Sequence, residues 1–343
     1  MKKSISVNKI IFLFIVFIMW ALLAFNTNTV DRSNYEMFYS YSQQRIRYPG
    51  IEIGFYFFMR ICSKIGLSFQ GFLIAYSSVG TILITKSVTK YIDKGRNTIL
   101  ILFIFFPYLH IIAALRNYMT FSILIWAIQY LTIKTPKNII KYIICIIVAS
   151  CFHVISLLYL LFIFCYQNEN RIKKISICFS IFGFFILATS SKVISLLINT
   201  FPKLQIYLSQ GFGGTRNTTK IFLFMYFITK IIFCLYCKID DDQQTNNRPL
   251  SVMRKVQLLS LIFFPICVFD MDFMRLEYNI LILMSMYMYG YIREKYNEQA
   301  EKKKFRFLTL SYGIYYIISG YILLYLFSSE SIVKTIWGNN LLL

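Results

Sequence analysis

Apolar stretches of nearly membrane-spanning length recur from one end of this chain to the other, and they constrain its fold more than any other feature. The first is Ile10–Phe25 and the last is Phe307–Phe327. Apolar residues make up 57% of the 343-residue chain and charged residues only 15%, which excludes an ordinary soluble domain. Most stretches fall slightly short of the roughly 20 residues that cross a bilayer core, so flanking Tyr and Lys must complete each span. The sequence therefore predicts an all-α, polytopic integral membrane protein.

The spacing of these stretches predicts one membrane domain over residues 1–343, with about 11 transmembrane helices, a short interfacial helix and an outward-facing cavity. The first stretch follows several lysines but lacks a small-residue cleavage site, which predicts an uncleaved first helix. Ile51–Cys62 is too short to span at about 1.5 Å per residue and is predicted to be the interfacial helix. Tyr142–Tyr166 is predicted to be a tight hairpin that turns near Phe152 and His153.

The positions of Lys and Arg predict the orientation in the membrane. The chain carries 36 Lys and Arg residues against 15 Asp and Glu residues. A cytoplasmic N-terminus combined with the hairpin puts most of these basic residues on the cytoplasmic side, as the positive-inside rule requires. If Tyr142–Tyr166 were one long helix, every later loop would invert and most of the basic residues after it would lie outside. The predicted cytoplasmic loops are residues 86–97, 134–141, 167–174, 238–255 and 293–306.

The two sets of basic residues differ in kind. Lysines dominate the predicted cytoplasmic loops, whereas arginines outnumber lysines in the predicted outer loops. Lysine near the cytoplasmic surface suits topology and anionic inner-leaflet lipids, while arginine presents a planar, always-charged fork that binds phosphate in a bidentate manner. The outer arginines therefore predict a phosphorylated ligand. The net charge of +21 does not indicate nucleic-acid binding, because the excess lysine is spread over separate loops.

Polar residues that interrupt the apolar pattern gather at the predicted outer surface. Residues 26–69 form the first outer loop with its interfacial helix, and residues 191–220 form a long outer loop whose glycine-rich run suits either a lid or a plain linker. A charge within a span costs about 2.5–3.5 kcal/mol, so such groups usually face a bundle interior or a wet cavity. The candidates are Asp31, Tyr35, Arg47 and Glu52 in the first loop, Arg116 and Asn117 in a short turn, His153 at the hairpin tip, and Asp270, Asp272, Arg275 and Glu277 in the turn before Tyr278.

Plainer interpretations of these residues stay open. The arginines can snorkel to lipid headgroups, and His153 can be a hydrogen-bonded interface residue. Asp31 and Glu52 can merely pair with Arg32, Arg45 or Arg47. Cys234 and Cys237 have C-x-x-C spacing but lack a second Cys or His pair. No metal and no cofactor are expected.

Short motifs follow one another in a characteristic order: Asp31 with Tyr35, Glu52-Ile53-Gly54-Phe55, Leu115-Arg116-Asn117, Cys151-Phe152-His153, and Met274-Arg275 with Tyr278. In this order and placement the sequence resembles the EpsG family of bacterial exopolysaccharide polymerases, which are Wzy-like proteins, over most of the chain. Asn117 departs from the usual Gln of the family, which weakens any amide-specific role at that position.

The resemblance implies a membrane glycosyltransferase that joins oligosaccharide repeat units carried on undecaprenyl pyrophosphate, at the outer face of the bacterial plasma (inner) membrane, as in exopolysaccharide, capsule or O-antigen synthesis. Because such a donor is already activated, no nucleotide-binding motif is expected. Weak metal-ligand groupings, and the need for only one carboxylate at the acceptor hydroxyl, predict a metal-independent inverting transfer with Asp31 or Glu52 as the favoured base. Membrane lipids, a chain-length regulator and a flippase are the further candidate partners. The implied base is Asp31, Glu52 or His153, and the implied substrate-binding residues are Tyr35, Arg47, Arg116, Asn117, Arg275 and Tyr278.

Two other functions compete with this interpretation. A transporter or flippase of lipid-linked glycans would need polar groups near the bilayer midplane and paired broken helices, yet only Lys230 lies centrally and the sequence has no internal repeat. A membrane O-acyltransferase acting on surface polysaccharide would need a catalytic histidine deep in a helix, for which His110 and His153 are the only candidates. Neither alternative explains the outer arginines as well.

Overall fold

The computed structural model describes residues 7–29, 31–92, 95–189, 225–232, 234, 237, 248–269, 271–295, 302–322 and 329–342. The predicted lid at residues 191–220 lies outside the described residues. Two compact units make up the chain, unit 1 being Met1–Leu160 with Tyr296–Leu343 and unit 2 being Leu161–Lys295. The described residues are overwhelmingly helical and contain no β-strand, so the all-α prediction is confirmed.

Unit 1 contains most of the helices. Its described elements are α1 (Val7–Ala24), α2 (Arg32–Gln43), α3 (Ile53–Lys64), α4 (Phe69–Tyr91), α5 (Arg96–Phe103), α6 (Leu109–Ala113), α7 (Leu115–Ala127), α8 (Pro136–Ser150) and the first part of a 3₁₀ helix (Val154–Tyr166), followed after unit 2 by α13 (Lys302–Gly320) and α14 (Thr335–Gly338).

Unit 2 continues the 3₁₀ helix. Its described elements are α9 (Glu169–Thr189), the helical residues 225–232, α10 (Arg248–Ser260), α11 (Phe264–Phe269) and α12 (Arg275–Lys295).

Several described helices are long and apolar enough to cross a membrane. They are Val7–Ala24, Phe69–Tyr91, Arg96–Ala113 and Pro249–Cys267. The helices also extend beyond the apolar stretches, because Pro136, Glu169 and Arg248 each begin a helix inside a segment predicted to be a cytoplasmic loop. Those loops are therefore shorter than predicted. Long basic side chains tolerate this position because their apolar stems can lie along a helix while the charged ends reach water.

The predicted hairpin is confirmed as a break in helix within unit 1. Helix α8 ends at Ser150, and the 3₁₀ helix begins at Val154. The Tyr142 hydroxyl donates to the Tyr159 carbonyl oxygen at 2.7 Å, which holds the two arms side by side. A 3₁₀ helix rises about 2.0 Å per residue, so the second arm of 13 residues reaches farther than an α-helix of equal length.

The long helices of unit 1 pack as a row in which α4 lies between α1 and α7, and α7 lies between α4 and α8. We call one end of this row the lysine end. There the Asn97 amide donates to the Asn8 carbonyl oxygen at 3.2 Å and the Lys90 ammonium donates to Gln129 Oε1 at 2.7 Å. Helix α1 begins at this end, and α4 finishes at it.

We call the opposite end of the row the arginine end, because Arg116 lies there. At this end α1 finishes, α4 and α7 begin, and α8 finishes. The C-terminal segment also docks here, since Thr27 N–H donates to the Asn339 carbonyl oxygen at 2.7 Å and Leu341 N–H donates to that of Phe25 at 3.0 Å. The described C-terminal segment and the start of α1 therefore lie at opposite ends of unit 1.

A break interrupts the membrane-long segment Arg96–Ala113. Phe106 is extended, with φ −163° and ψ 134°, and Pro107 follows it. Proline lacks an N–H group and pushes the preceding residue out of the helical region. The Tyr316 hydroxyl of α13 donates to the Phe106 carbonyl oxygen at 2.5 Å, so the polar group that the break frees is paired inside the protein.

Aromatic packing attaches the two short helices α2 and α3 to α4. Phe55 of α3 is fully buried, and its ring centroid lies 5.7 Å from that of Tyr35 in α2 and 5.7 Å from that of Tyr76 in α4. The opposite face of α3 is also apolar, since Ile53, Phe57 and Ile61 are exposed. A short helix that is apolar on both faces suits contact with protein on one side and lipid on the other. The sequence predicted α3, but α2 appeared there only as loop.

Candidate active site

Backbone hydrogen bonds join the start of α3 to the turn that follows α8, and these contacts position the candidate site. The N–H groups of Gly54 and Phe55 donate to the Cys151 carbonyl oxygen at 2.7 and 3.2 Å. A Cβ at Gly54 would lie 2.8 Å from both the Cβ and the carbonyl oxygen of Cys151, so only glycine fits. Two sequence motifs thus meet, and their neighbours Glu52 and His153 are brought together.

Glu52 lies between a guanidinium and an imidazole. Arg116 Nη1 is 2.8 Å from Glu52 Oε2, and His153 Nδ1 is 3.4 Å from Glu52 Oε1. The first contact is a charge-assisted hydrogen bond. The second is longer than the usual N–H···O range of about 2.7–3.2 Å, so its strength depends on the charge of the imidazole. The side chain of Glu52 is 15% exposed, that of Arg116 29% and that of His153 16%. All three are therefore within reach of a ligand.

Tyr35 completes this group, which we call the Glu52 cluster: Glu52, Arg116, His153 and Tyr35. The Tyr35 side chain is buried and its hydroxyl interacts with the Arg116 guanidinium. The cluster joins residues from α2, α7, the turn before α3 and the turn after α8. It lies at the arginine end of unit 1.

The electrostatics of the cluster keep Glu52 ionised. Burial alone would raise the pKa of the Glu52 carboxyl group, but the contact with His153 and the positive charge of Arg116 outweigh burial and lower it from 4.5 to about 2. A carboxylate with so low a pKa holds a proton weakly. In this arrangement Glu52 is therefore suited to orienting its two partners rather than to accepting a proton.

Buried hydrogen bonds below the cluster fix its backbone. The Tyr76 hydroxyl donates to the Leu115 carbonyl oxygen at 3.0 Å, next to Arg116. The Thr120 hydroxyl donates to the Ala149 carbonyl oxygen at 3.2 Å, just before the His153 turn. These supporting residues were missed by sequence reasoning, because a Tyr or Thr within an apolar stretch carries no local sign of its distant partner.

The other predicted residues of unit 1 lie outside the cluster. Asp31 occupies the N-cap position of α2 without a capping side-chain hydrogen bond, and the ion pairs among the described residues do not link it to Glu52. Arg47 is exposed. Asn117 is 1% exposed, so its amide faces the protein interior. The interpretation of Glu52 as paired with Arg32, Arg45 or Arg47 is wrong, since its partner is Arg116.

Arg275 and Tyr278 belong to unit 2, where α12 begins at Arg275. Arg275 is partly exposed and Tyr278 is buried. Their convergence with the Glu52 cluster stays a prediction. Glu277, predicted to lie in an outer turn with Arg275, is instead 0% exposed, because α12 has already begun and its first turn directs this side chain inward. Asp270 lies outside the described residues.

Unit 2 contains buried ion pairs that the sequence did not predict. The Lys230 ammonium pairs with Glu277 Oε2 and donates to Ser260 Oγ at 2.6 Å. Both charged side chains are at most 1% exposed. The sequence predicts Lys230 as a central charge, and a carboxylate partner is what a buried lysine requires.

A second pair lies on α10. Arg254 Nη2 is 3.0 Å from Glu169 Oε1, and the same guanidinium donates to the carbonyl oxygens of Cys234 and Cys237 at 2.9 and 2.5 Å. The sequence predicts Arg254 in a cytoplasmic loop, but the residue is 4% exposed within a helix. Arg254 thus serves a structural role, because its guanidinium binds the carbonyl oxygens of Cys234 and Cys237.

These features are typical of a multi-pass membrane protein. They are apolar helices of membrane length, buried charges that are paired within the protein, and a polar cluster at one end of the helices. A family model described as the EpsG family matches residues 9–331, nearly the whole chain. The chain therefore belongs to the EpsG family, which indicates a role in polysaccharide polymerisation. No curated protein and no solved structure matches the chain significantly.

Proposed function

We propose that this protein is a polysaccharide polymerase that joins undecaprenyl-pyrophosphate-linked oligosaccharide repeat units at the outer face of the bacterial plasma membrane. The observation that carries the proposal is the Glu52 cluster, in which a guanidinium and an imidazole flank one carboxylate at 2.8 and 3.4 Å. Membership of the EpsG family supports the class of reaction. The proposed substrate needs both a cation for its pyrophosphate and a base for the acceptor hydroxyl.

The proposed topology has a cytoplasmic N-terminus and about 11 spans. The lysine end of unit 1 is then cytoplasmic and the arginine end faces outward. An odd number of spans agrees with the docking of the C-terminal segment at the end of α1 opposite to its start. The Glu52 cluster would thus face the side on which lipid-linked repeat units are polymerised.

In the proposed reaction the base removes the proton from an acceptor hydroxyl, whose oxygen forms a bond to the anomeric carbon of the donor. The bond from that carbon to the pyrophosphate oxygen breaks, and the lipid pyrophosphate leaves with the electron pair. Arg116 would bind the pyrophosphate through paired N–H donors, which a planar guanidinium presents in fixed geometry. Direct inversion needs one base and no covalent intermediate.

Within the cluster we assign the base to His153 and an orienting role to Glu52. His153 Nδ1 faces Glu52 Oε1, which leaves Nε2 for the acceptor. An imidazole exchanges protons near neutral pH, whereas the low pKa of Glu52, about 2, makes its carboxylate a poor base. Asp31 is the weaker candidate, since it stands outside the cluster.

Donor binding would rearrange the cluster. Arg116 now pairs with Glu52, and a pyrophosphate with several negative oxygens competes for the same guanidinium. Once Arg116 turns to the donor, Glu52 retains His153 as its partner and stabilises the imidazolium that forms. The cluster would thus become competent only when the donor is present.

The transporter alternative draws on two observations: the break at Phe106–Pro107 and the buried charges of unit 2. In each case the polar groups already have partners inside the protein: the Phe106 carbonyl oxygen accepts from Tyr316, and Lys230 pairs with Glu277. A transport site needs such groups to be available to a substrate. We therefore favour the polymerase.

Three variants test the proposal in membranes supplied with lipid-linked repeat units. His153→Gln and Glu52→Gln should each reduce polymer by at least about a hundredfold, with single repeat units accumulating on the lipid. Asp31→Asn, the matched removal of a nearby carboxylate, should retain polymer synthesis. Normal polymer synthesis by both cluster variants at wild-type protein amounts would eliminate the assignment. Loss of polymer synthesis in Asp31→Asn alone would instead identify Asp31 as the base.

A further inference from the structure

Unit 2 contains an apolar groove that the proposed reaction does not use. Its volume is about 310 Å³, whereas an apolar cavity of about 150 Å³ already binds a molecule such as benzene. Among the described residues that line it, Gln167 is the one polar residue. The lining residues are Leu161, Phe164, Gln167, Ile172, Ile175, Phe179, Leu259 and Ile262.

The walls of the groove follow from helix periodicity. Leu161 and Phe164 lie three residues apart on the 3₁₀ helix, which has three residues per turn. Gln167 follows the end of that helix and continues the row, since its N–H donates to the Phe164 carbonyl oxygen at 2.9 Å. On α9, Ile175 and Phe179 lie four residues apart and share a face. Leu259 and Ile262 form the third wall, at the end of α10 and in the turn that follows it.

A cation extends each of the two α-helical rows beyond the apolar lining. Arg171 precedes Ile175 by one turn on α9 and is exposed. Lys255 precedes Leu259 by one turn on α10, and its ammonium donates to the Gln167 carbonyl oxygen at 3.1 Å. That bond places the Lys255 charge at the Gln167 end of the groove and leaves further N–H donors on the same ammonium.

The acidic residue nearest in sequence does not cancel these charges. Glu169 begins α9, but its carboxylate is 10% exposed and pairs with the buried Arg254 at 3.0 Å. Lys174 is also exposed on the first turns of α9. One end of the groove is therefore cationic and the remainder is apolar, a distribution that complements a lipid with an anionic headgroup.

We propose that this groove binds one anionic phospholipid, with an acyl chain among the apolar residues and the headgroup phosphate between Arg171 and Lys255. Under the proposed topology the basic end belongs to the cytoplasmic leaflet, where anionic lipids attract basic residues. The donor chemistry is assigned to the Glu52 cluster, which shares no residue with the lining of the groove, so the groove is a separate site. This inference does not rest on the proposed polymerase activity.

Native mass spectrometry of the full-length protein tests the headgroup. The protein is purified in mild detergent with equal amounts of phosphatidylglycerol and phosphatidylcholine of the same acyl chains. Wild-type protein should retain phosphatidylglycerol at least about tenfold more, and Arg171→Gln with Lys255→Gln should remove that preference. Lys137→Gln, an exposed cation of unit 1, is the control and should leave it intact.

A second variant tests the tail. Ile175→Trp fills the groove and should lower the retention of phosphatidylglycerol at least about tenfold, whereas Ile144→Trp on the exposed face of α8 should not. The proposal fails if the double variant keeps the preference, or if Ile175→Trp retains lipid like wild type. It also fails if excess inorganic phosphate displaces the lipid completely, or if undecaprenyl phosphate is retained in preference to phosphatidylglycerol.

Discussion

The two units each contain a carboxylate paired with a cation, yet the pairs differ in exposure. Glu52 and Arg116 in unit 1 are 15% and 29% exposed, whereas Glu277 and Lys230 in unit 2 are 0% and 1% exposed. A partly exposed pair can exchange a partner for a ligand, because water and ligand reach both groups. A fully buried pair has no such option, and each charge depends on the other. The exposed fraction therefore distinguishes a candidate active site from a structural ion pair, although the residue types are alike.

The surroundings of the pairs reinforce this difference. Lys230 also bonds Ser260, whose hydroxyl donates to the Gln257 carbonyl oxygen at 2.9 Å. These contacts connect neighbouring helices and engage the Lys230 ammonium and the Ser260 hydroxyl in hydrogen bonds within the protein. Around Glu52, by contrast, the contact to His153 is long at 3.4 Å, and a long contact leaves room for adjustment when a substrate binds.

The largest expected effect is the loss of one member of the buried pair. Glu277→Leu leaves Lys230 charged and unpaired in the interior, which typically costs about 3–5 kcal/mol. We expect little monodisperse protein by size-exclusion chromatography of detergent extracts. Combining it with Lys230→Met replaces the pair by apolar groups and should restore most of the protein.

The matched control for the buried pair is Lys137→Met, which removes an exposed cation and should behave like wild type. Wild-type yields of Glu277→Leu alone would show that Lys230 does not depend on Glu277.

A smaller effect is expected from Gly54→Ala, which tests the docking that forms the Glu52 cluster. The added Cβ would lie 2.8 Å from the Cys151 carbonyl oxygen, and relief of such overpacking costs about 1–3 kcal/mol. Polymer yield per amount of membrane protein should fall at least about tenfold, because Glu52 and His153 move apart. Gly313→Ala, where nothing lies within 4 Å of the new Cβ, should be neutral. Equal yields from the two variants would argue that the docking does not serve the site.

Arg116→Lys tests whether the exposed pair serves a ligand. Lysine keeps the charge but cannot form the bidentate contact, so we expect polymer synthesis about tenfold below wild type, with Arg116→Ala only slightly lower. Arg60→Lys is the control, since Arg60 makes only long 3.4 Å contacts to the Ser42 and Gln43 carbonyl oxygens. Full activity of Arg116→Lys would support snorkelling to headgroups instead.

The smallest expected effect is on the pH dependence of stability. The folded pKa of Glu52, about 2, lies below the ordinary 4.5, so its contribution to stability is fully present above pH 4.5 and is lost as the pH falls towards 2. Thermal unfolding of the detergent-solubilised wild type and of Glu52→Gln should differ near pH 7. That difference should shrink progressively below pH 4.5, and a gap that persists unchanged at low pH would show that the ionised carboxylate is not its source.

The sequence indicates individual site residues more readily than their arrangement. It selected Glu52, Arg116, His153 and Tyr35, because polar residues at the ends of apolar stretches are unusual and need an explanation. It also included Asp31, which the structure leaves outside the cluster. Composition and order along the chain cannot distinguish these cases, since both acids lie in the same predicted loop.

The helix boundaries show a similar limit. The turn at His153 was predicted from a charge count over the later loops, and the structure has it. The early starts of α8, α9 and α10 do not follow from the sequence pattern, because basic residues there indicate loops as readily as helix ends. A lysine is compatible with either a loop or the first turn of a helix, so residue type alone leaves the boundary undecided.

The sequence by itself determined that this is an all-helical membrane protein of the EpsG family, because hydropathy, motif order and charge bias are properties that can be followed along the chain. Only the tertiary structure decided that Arg116 pairs with Glu52, 64 residues away, and that Lys230 pairs with Glu277, 47 residues away. The physical reason is that periodicity sets which face of a helix a residue occupies. The choice of a partner depends on which helices pack and at what height their side chains meet.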